Sequence, residues 1–463
     1  MPRSFPSQRF SAEFLTYRII FMTNIAKEQI PKEQLEPDLW LNPRRFYIGL
    51  AIALILQLWL ISQPFAFWLD INLFKAWAVA LVQQGLPNFY SFANSDYPPA
   101  YLYILWLVGK TYQFFDPTFS HTDRLLLVSL LKLPCILANV GSAFLIAQIL
   151  KPYTSTHKAY KIALIYAFNP LMIFVSAIWG QVDGVMVLLM SMMFYLIEQN
   201  RAISAGILAI LMVIVKPQGL FFAPFLFLSQ WFRQAWWKWL AIAVGGLAAI
   251  WLLIEPFFGV KTGLSHPFWS LYYLLKSTAN LYSFGSVNAF NIWIWANWQS
   301  DYATFLGISY KVIGLYFLGI LIVWLGIFLY RQRNFTANAM AAATMLIGCF
   351  MLPTRMHERY MLYSLAFLAI AIAVIPIVKW IYWGFTLTGA VNVGYVYLRY
   401  NYEALYNAIP SGWLQTGIYA ISVFNVILFL ILLLQTIRFP KAIEASGGEI
   451  YRHSSSNSIL DSL

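Results

Sequence analysis

Six short stretches carry most of the polar chemistry of an otherwise apolar chain. They are Asp70 in FWLDINLF, Asp96-Tyr97-Pro98-Pro99, Trp179-Gly180-Gln181-Val182-Asp183-Gly184, Lys216-Pro217-Gln218, SVNAFNIW at 286–293, and Arg355-Met356-His357-Glu358-Arg359-Tyr360. Asp70, Asp96 and Asp183 are carboxylates, the group that can take a proton from an attacking hydroxyl. Lys216, His357 and Arg359 can hold an anion, and an Arg can grip a phosphate with two parallel bonds. Gln181, Gln218, Asn288, Asn291 and Trp293 offer amides and an aromatic face, which suit sugar hydroxyls and sugar rings. A base and a cationic clamp suffice to move a group from a phosphate to a hydroxyl, because the phosphate leaves as an anion.

Each stretch also has a plainer reading. Asp70 stands ahead of an expected helix in which Leu73, Phe74, Trp77 and Leu81 recur at helical spacing and Gly85 suits the end. There it would be an N-cap, worth about 1 kcal/mol. The two prolines after Tyr97 suit a helix start. WGQVDG and SVNAFNIW could be interfacial belt and turn. Lys132 would snorkel or pair with an outer carboxylate. Against the plain readings, Asp183 and the 355–359 cluster lie at ends of apolar runs, where ionisable groups are costly.

Absent motifs narrow the chemistry further. The chain has no Walker loop, CxxC, HExxH or carbonyl-rich filter sequence. An ATP-driven pump, a metal-dependent hydrolase and a selective channel lose support, and neither metal nor cofactor is expected.

The elements that position these residues are membrane helices. Of 463 residues, 60% are AVILMFWYC and 10% are DEKR, against about 25% charged in soluble chains. Mean hydropathy is +0.66. So few charges could not cover a water-soluble surface, so the expectation is an all-α polytopic membrane protein. Cytosolic-enzyme, nucleic-acid-binding and fibrous readings fall away. The net charge of +12 fits basic cytoplasmic loops facing anionic headgroups. Cys135 and Cys349 lie in apolar runs and argue against a structural disulfide. Glu13, Arg18 and Lys27 interrupt the first apolar stretch, against a cleavable signal peptide.

With about 20 residues per crossing, twelve spans are expected near 46–66, 125–150, 161–178, 184–197, 202–215, 217–229, 239–254, 312–330, 337–353, 360–378, 381–398 and 414–437. Arg44 and Arg45 put the N-terminus inside, and Lys151, Lys158, Lys161, Arg201, Arg233, Lys238, Arg331, Arg333, Lys379, Arg438 and Lys441 then share the cytoplasmic side. This requires residues 98–115 to be interfacial or re-entrant, and favours a break at Lys216-Pro217 within 202–229. Residues 1–43 are expected to form a polar cytoplasmic leader, 44–440 the membrane domain, and 441–463 a disordered cytoplasmic tail. Two long outer segments, 67–124 and 255–311, and nearly every carboxylate between the spans, face outward.

Taken in order, Asp70, DYPP, WGQVDG, KPQ, SVNAFNIW and MHERY resemble the multi-spanning glycosyltransferases of the GT-C class. The likeness covers residues 46–365 and is greatest to bacterial mannosyltransferase-like proteins related to the second mannosyltransferase of GPI-anchor assembly. Glucosyltransferases that use dolichyl-phosphate glucose carry a similar DYPP and a His-Glu-basic motif. The resemblance implies an inverting transferase acting at the extracytoplasmic face. It also implies a donor with one sugar, mannose favoured, on a polyprenyl phosphate, a lipid-linked or envelope glycan as acceptor, and Asp70 as catalytic base. A flippase for polyprenyl-linked glycans, binding its cargo without making bonds, is the competing expectation.

Overall fold

The apolar runs of the sequence are helices in the computed structural model, which describes residues 41–259 and 265–438. The leader through residue 40 and the tail 441–463 lie outside the described residues. The described helices belong to the unit Pro43–Leu463. Five helices are long and apolar enough to cross a bilayer: Pro43–Ile61, Leu125–Leu150, Trp236–Phe258, Tyr310–Arg331 and Ser411–Ile437. A bent pair, Thr156–Ala167 with Pro170–Trp179 at 45°, makes a sixth if it is one span. This is fewer than the twelve expected. Several of the remaining apolar runs form helices shorter than a full crossing, among them Ala202–Val215 and Phe335–Met351. Phe335–Met351 is buried along its whole length, so protein rather than lipid surrounds it.

The bend in the pair is built locally. Asn169 accepts from the backbone N–H groups of Leu171 (3.0 Å) and Met172 (3.2 Å), with Pro170 opening the new turn. Its amide nitrogen reaches Tyr382 and Thr386 at 2.7 and 2.8 Å. The chain then runs as a π-helix, Phe174–Trp179, and stops at Gly180 with φ of +89°. A Cβ there would lie 2.7 Å from the Ile71 side chain, so only glycine lets this turn close on the first outer loop.

That contact moves a helix start. Asp70 is not ahead of its helix; it sits in the first turn of Trp68–Gln83, whose N-cap is Phe67. The Phe67 N–H donates to the Trp179 carbonyl at 3.0 Å and its ring stacks on Trp179 at 4.0 Å, which starts the helix early. Phe74, Trp77 and Leu81 are buried in this helix, while Leu73 stays exposed. Trp68–Gln83 packs on Pro99–Phe115, and Gly109 allows the two backbones to meet, since a Cβ would fall 2.5 Å from the Ala78 carbonyl oxygen. Lys132 neither snorkels nor meets a carboxylate. Fully buried, it donates to the carbonyls of Phe65 and, at 3.1 Å, Ala177, pinning the first outer loop to the π-helix.

The break expected at Lys216 is present. Ala202–Val215 ends there, Lys216 is extended (φ −155°, ψ 134°), and a 3-10 turn Pro217–Phe221 precedes Ala223–Gln230. Farther on, strand Ser286–Val287 pairs in parallel with Met356–His357. Residues of the expected inner loops also meet one another and the inner ends of expected spans. Glu198 accepts from Tyr153 at 2.9 Å and from Asn338 at 2.7 Å, and Lys158 donates to the Ala373 carbonyl at 2.7 Å.

Candidate active site

Asp70 is the hub of a small polar network. Its Oδ2 accepts from Trp179 Nε1 and from Gln181 Nε2, each at 2.7 Å. Gln181 Oε1 in turn accepts from the Tyr97 hydroxyl at 3.0 Å and from the Val182 N–H at 2.9 Å. Those two donors fix which end of the Gln181 amide faces Asp70. Oδ1 of Asp70 has no hydrogen-bond partner among the described residues, and Asp70 lines a cavity of ≈ 740 Å³. The arrangement leaves one carboxylate oxygen held and one open.

The same cavity collects Asp96, Gln181, Lys216, Gln218, His357 and Arg359. Asp183 stands behind its wall, fully buried in the first turn of Asp183–Glu198. It receives Lys216 Nζ at 2.5 Å on one oxygen and Arg359 Nε at 3.1 Å on the other, with the Tyr363 hydroxyl as a third donor. Arg359 also pairs with buried Glu358 through Nη1. A carboxylate so fully used is a positioning group for the two cations rather than a free base. The cations face aromatic rings as well. Lys216 lies 5.9 Å from the Tyr97 ring and 5.7 Å from Tyr360, and Arg359 lies 5.7 Å from Trp179.

Several groups at the cavity are shifted by their surroundings, Asp96 and His357 among them. Burial raises the Asp96 carboxyl above its ordinary range, and nearby Asp70 adds to the rise while Lys216 and Arg359 partly offset it. Burial, helped by Arg359 and Lys216, lowers His357 well below its ordinary value. Its Nδ1 lies 3.8 Å from a Glu358 oxygen and its ring meets Tyr282 edge-on at 4.8 Å. A depressed histidine is neutral above its folded pKa, so His357 offers a phosphate one N–H and no charge at neutral pH. The ratio of donor affinities of wild type and His357→Gln is therefore expected to stay constant from pH 8 to pH 6. Measuring donor affinity of both proteins across that range checks it, and a ratio that climbs toward pH 6 would mean an imidazolium ligand.

Gln218 lies at the cavity with half its amide unused. Nε2 donates to the Tyr360 hydroxyl at 2.7 Å, whereas buried Oε1 has no partner among the described residues. A ligand hydroxyl would satisfy it.

Asn288, Asn291 and Trp293 lie outside the cavity lining, and the side chains of Asn291 and Trp293 are bound to backbone. Asn291 Nδ2 donates to the Phe350 carbonyl at 2.9 Å and Trp293 Nε1 to Leu352 at 2.7 Å. Asn288, at φ of +59°, has its carbonyl taken by Asn392 at 2.7 Å and its side-chain oxygen by Trp298 at 3.1 Å. The stretch braces the site: Val287 is paired with His357 across the short parallel ladder. Sequence reasoning passed over Asp301. This buried carboxylate takes Arg355 Nε at 2.6 Å and Nη2 at 3.2 Å, holding Arg355 in a left-handed conformation at φ +68°. One signal was legible. Asp301 is a carboxylate in the second long outer segment, two residues after Asn297-Trp298-Gln299.

The model of glycosyltransferase family 87, a GT-C-like family, matches residues 96–353, more than half of the chain. No curated protein matches the chain. The matched residues take in DYPP, WGQVDG, KPQ and SVNAFNIW; Asp70 precedes them and residues 355–360 follow them.

Proposed function

The chain belongs to glycosyltransferase family 87, and we propose that it is an inverting transferase that moves one sugar from a polyprenyl-phosphate donor to a lipid-linked or envelope glycan. Mannose is the favoured sugar. One observation carries this reading: Asp70, with one oxygen held by Trp179 and Gln181 and the other open, shares a cavity with Lys216, His357 and Arg359.

In the proposed reaction the acceptor hydroxyl loses its proton to Asp70 Oδ1 as its oxygen attacks the anomeric carbon. The bond from that carbon to the phosphate oxygen breaks on the opposite face, and polyprenyl phosphate departs with the electron pair. Arg359 and Lys216 stabilise the charge that collects on the phosphate, and His357 donates a hydrogen bond. Because Asp183 and Glu358 already hold the two cations, little reorganisation is needed when the anion forms. Gln218 Oε1 and the Gln181 amide line the same space and serve sugar hydroxyls. Asp96, whose carboxyl burial raises above its ordinary range, lines the same space and hydrogen-bonds sugar or acceptor. Neither metal nor cofactor enters these steps.

The topology proposed with this reading keeps twelve crossings, both termini cytoplasmic and the cavity extracytoplasmic. It is supported by the grouping of residues. Cavity-lining residues come from the expected outer segments and from the adjoining parts of expected spans, while at the inner ends Tyr153 and Asn338 meet Glu198, and Lys158 meets Ala373. Short helices such as Asp183–Glu198 would cross with their ends shielded by protein.

The test is transfer of radiolabel from a panel of polyprenyl-phosphate sugars to total membrane lipids by the purified protein. Labelled product from one donor, strongest for mannose, is expected. Absence of transfer from every member, with a nucleotide-sugar active instead, would reject the donor class.

A further inference from the structure

The cations lining the cavity differ in one respect. Lys216, Arg355 and Arg359 each have a carboxylate partner at 3.2 Å or less. Lys311 also lines the cavity, yet its ammonium group has no carboxylate partner among the described residues, and the contact it makes is with the Tyr302 ring, 5.6 Å from its centre. A cation beside a cavity without a counter-ion is a ready anion ligand.

The residues below it extend the pattern. Lys311 opens the helix Tyr310–Arg331, and Leu315, Leu318 and Ile322 of that helix line the same cavity. Their spacing of four, three and four residues is a single helical stripe. From Lys311 to Ile322 it runs about 16 Å at a rise of 1.5 Å per residue, roughly half of the ~30 Å hydrocarbon thickness. Leu220 and Pro224 line the cavity from the broken segment after Lys216. Leu220 and Leu315 are 58% and 51% exposed although both line it, so the cavity opens on the flank of the helix bundle. A charged head above an apolar trough about one leaflet deep has the pattern of a lipid phosphate.

Building on the donor class proposed above, we infer that this limb holds the first part of the donor's polyprenyl chain and that Lys311 is a ligand of its phosphate. The chain enters sideways between Leu220 and Leu315 and lies along Leu318 and Ile322. Lys311 then adds the one cavity-lining charge that Asp183, Glu358 and Asp301 do not already offset among the described residues, and the length of the lipid rather than the sugar alone contributes to donor selection.

The experiment uses the full chain in nanodiscs with two sugar-free probes, undecaprenyl monophosphate and the ten-carbon citronellyl monophosphate. Affinities are read by competition with a photoactivatable polyprenyl phosphate. Lys311→Gln should weaken both probes about tenfold, the loss of a charge-assisted contact, and Lys311→Arg should keep most of the affinity. Leu318→Trp should weaken the long probe severalfold and leave the short one within about twofold, since a bulky side chain there fills the trough and not the headgroup site. Unchanged affinities in Lys311→Gln would overturn the assignment of Lys311. Equal effects of Leu318→Trp on both probes would overturn the route of the chain. If wild type binds neither probe, the donor class itself fails, a result distinct from either of those.

Discussion

Replacing Asp70 with Asn is expected to lower the rate of sugar transfer by about 10²–10⁴ while melting temperature and donor affinity stay near those of wild type. Asn fits the geometry, because its amide oxygen can stand where Oδ2 now accepts from Trp179 and Gln181. The fold around Phe67 and Trp179 then has no reason to change. What is lost is the open oxygen that takes the acceptor's proton, and an amide cannot replace it. Asp70→Glu should keep a small residual rate, with the carboxylate retained but pushed out of the Trp179 and Gln181 grip. Single-turnover transfer with a saturating donor separates the chemical step from binding. Near-normal turnover in Asp70→Asn would move the base to Asp96, the other carboxylate lining the cavity. A flippase, needing no base, would also tolerate the change.

The second large effect is structural in origin. Asp183→Asn leaves Lys216 and Arg359 buried with one fewer counter-charge, and breaking a buried ion pair from one side costs about 3–5 kcal/mol. The Tyr363 hydroxyl loses its charged acceptor as well. A marked fall in thermal stability is expected, together with weaker donor binding as the two cations lose their common anchor. Adding Lys216→Met to Asp183→Asn should recover part of the stability, since the orphaned charge is removed, without recovering donor affinity. Thermal unfolding in detergent of the single and double variants measures both steps. Equal stability of wild type and Asp183→Asn would mean that water, and not Asp183, neutralises these cations.

The contrast between these two aspartates shows how far sequence alone reaches. Asp70, Asp96 and Asp183 look alike as isolated acids beside apolar runs. Helical periodicity placed each near the end of an element, and the Lys216-Pro217 break, the helix after Pro98-Pro99 and the turn at Gly180 were all legible from local chemistry. What periodicity does not carry is which groups from different elements meet. Trp179 and Gln181 lie more than a hundred residues beyond Asp70, and nothing local reveals that they share one of its oxygens. Arg359 likewise reaches Asp183 across 176 positions.

Composition and spacing thus determined a mostly helical, membrane-type chain, where many of its helices lie, and the cluster of chemistry-bearing stretches. These follow from local free energies: backbone hydrogen bonds that cannot be left open in hydrocarbon, prolines that break helices, and charges that are costly in apolar runs. Tertiary structure decided the roles. It left Asp70 half open to a cavity and buried Asp183 between two cations. It turned Asn288, Asn291 and Trp293 into braces for the backbone beside His357, and left Lys311 without a carboxylate partner at the head of an apolar trough. The physical reason is that a role depends on what surrounds a side chain, through desolvation and the neighbouring charges and donors, and those neighbours come from segments distant in sequence.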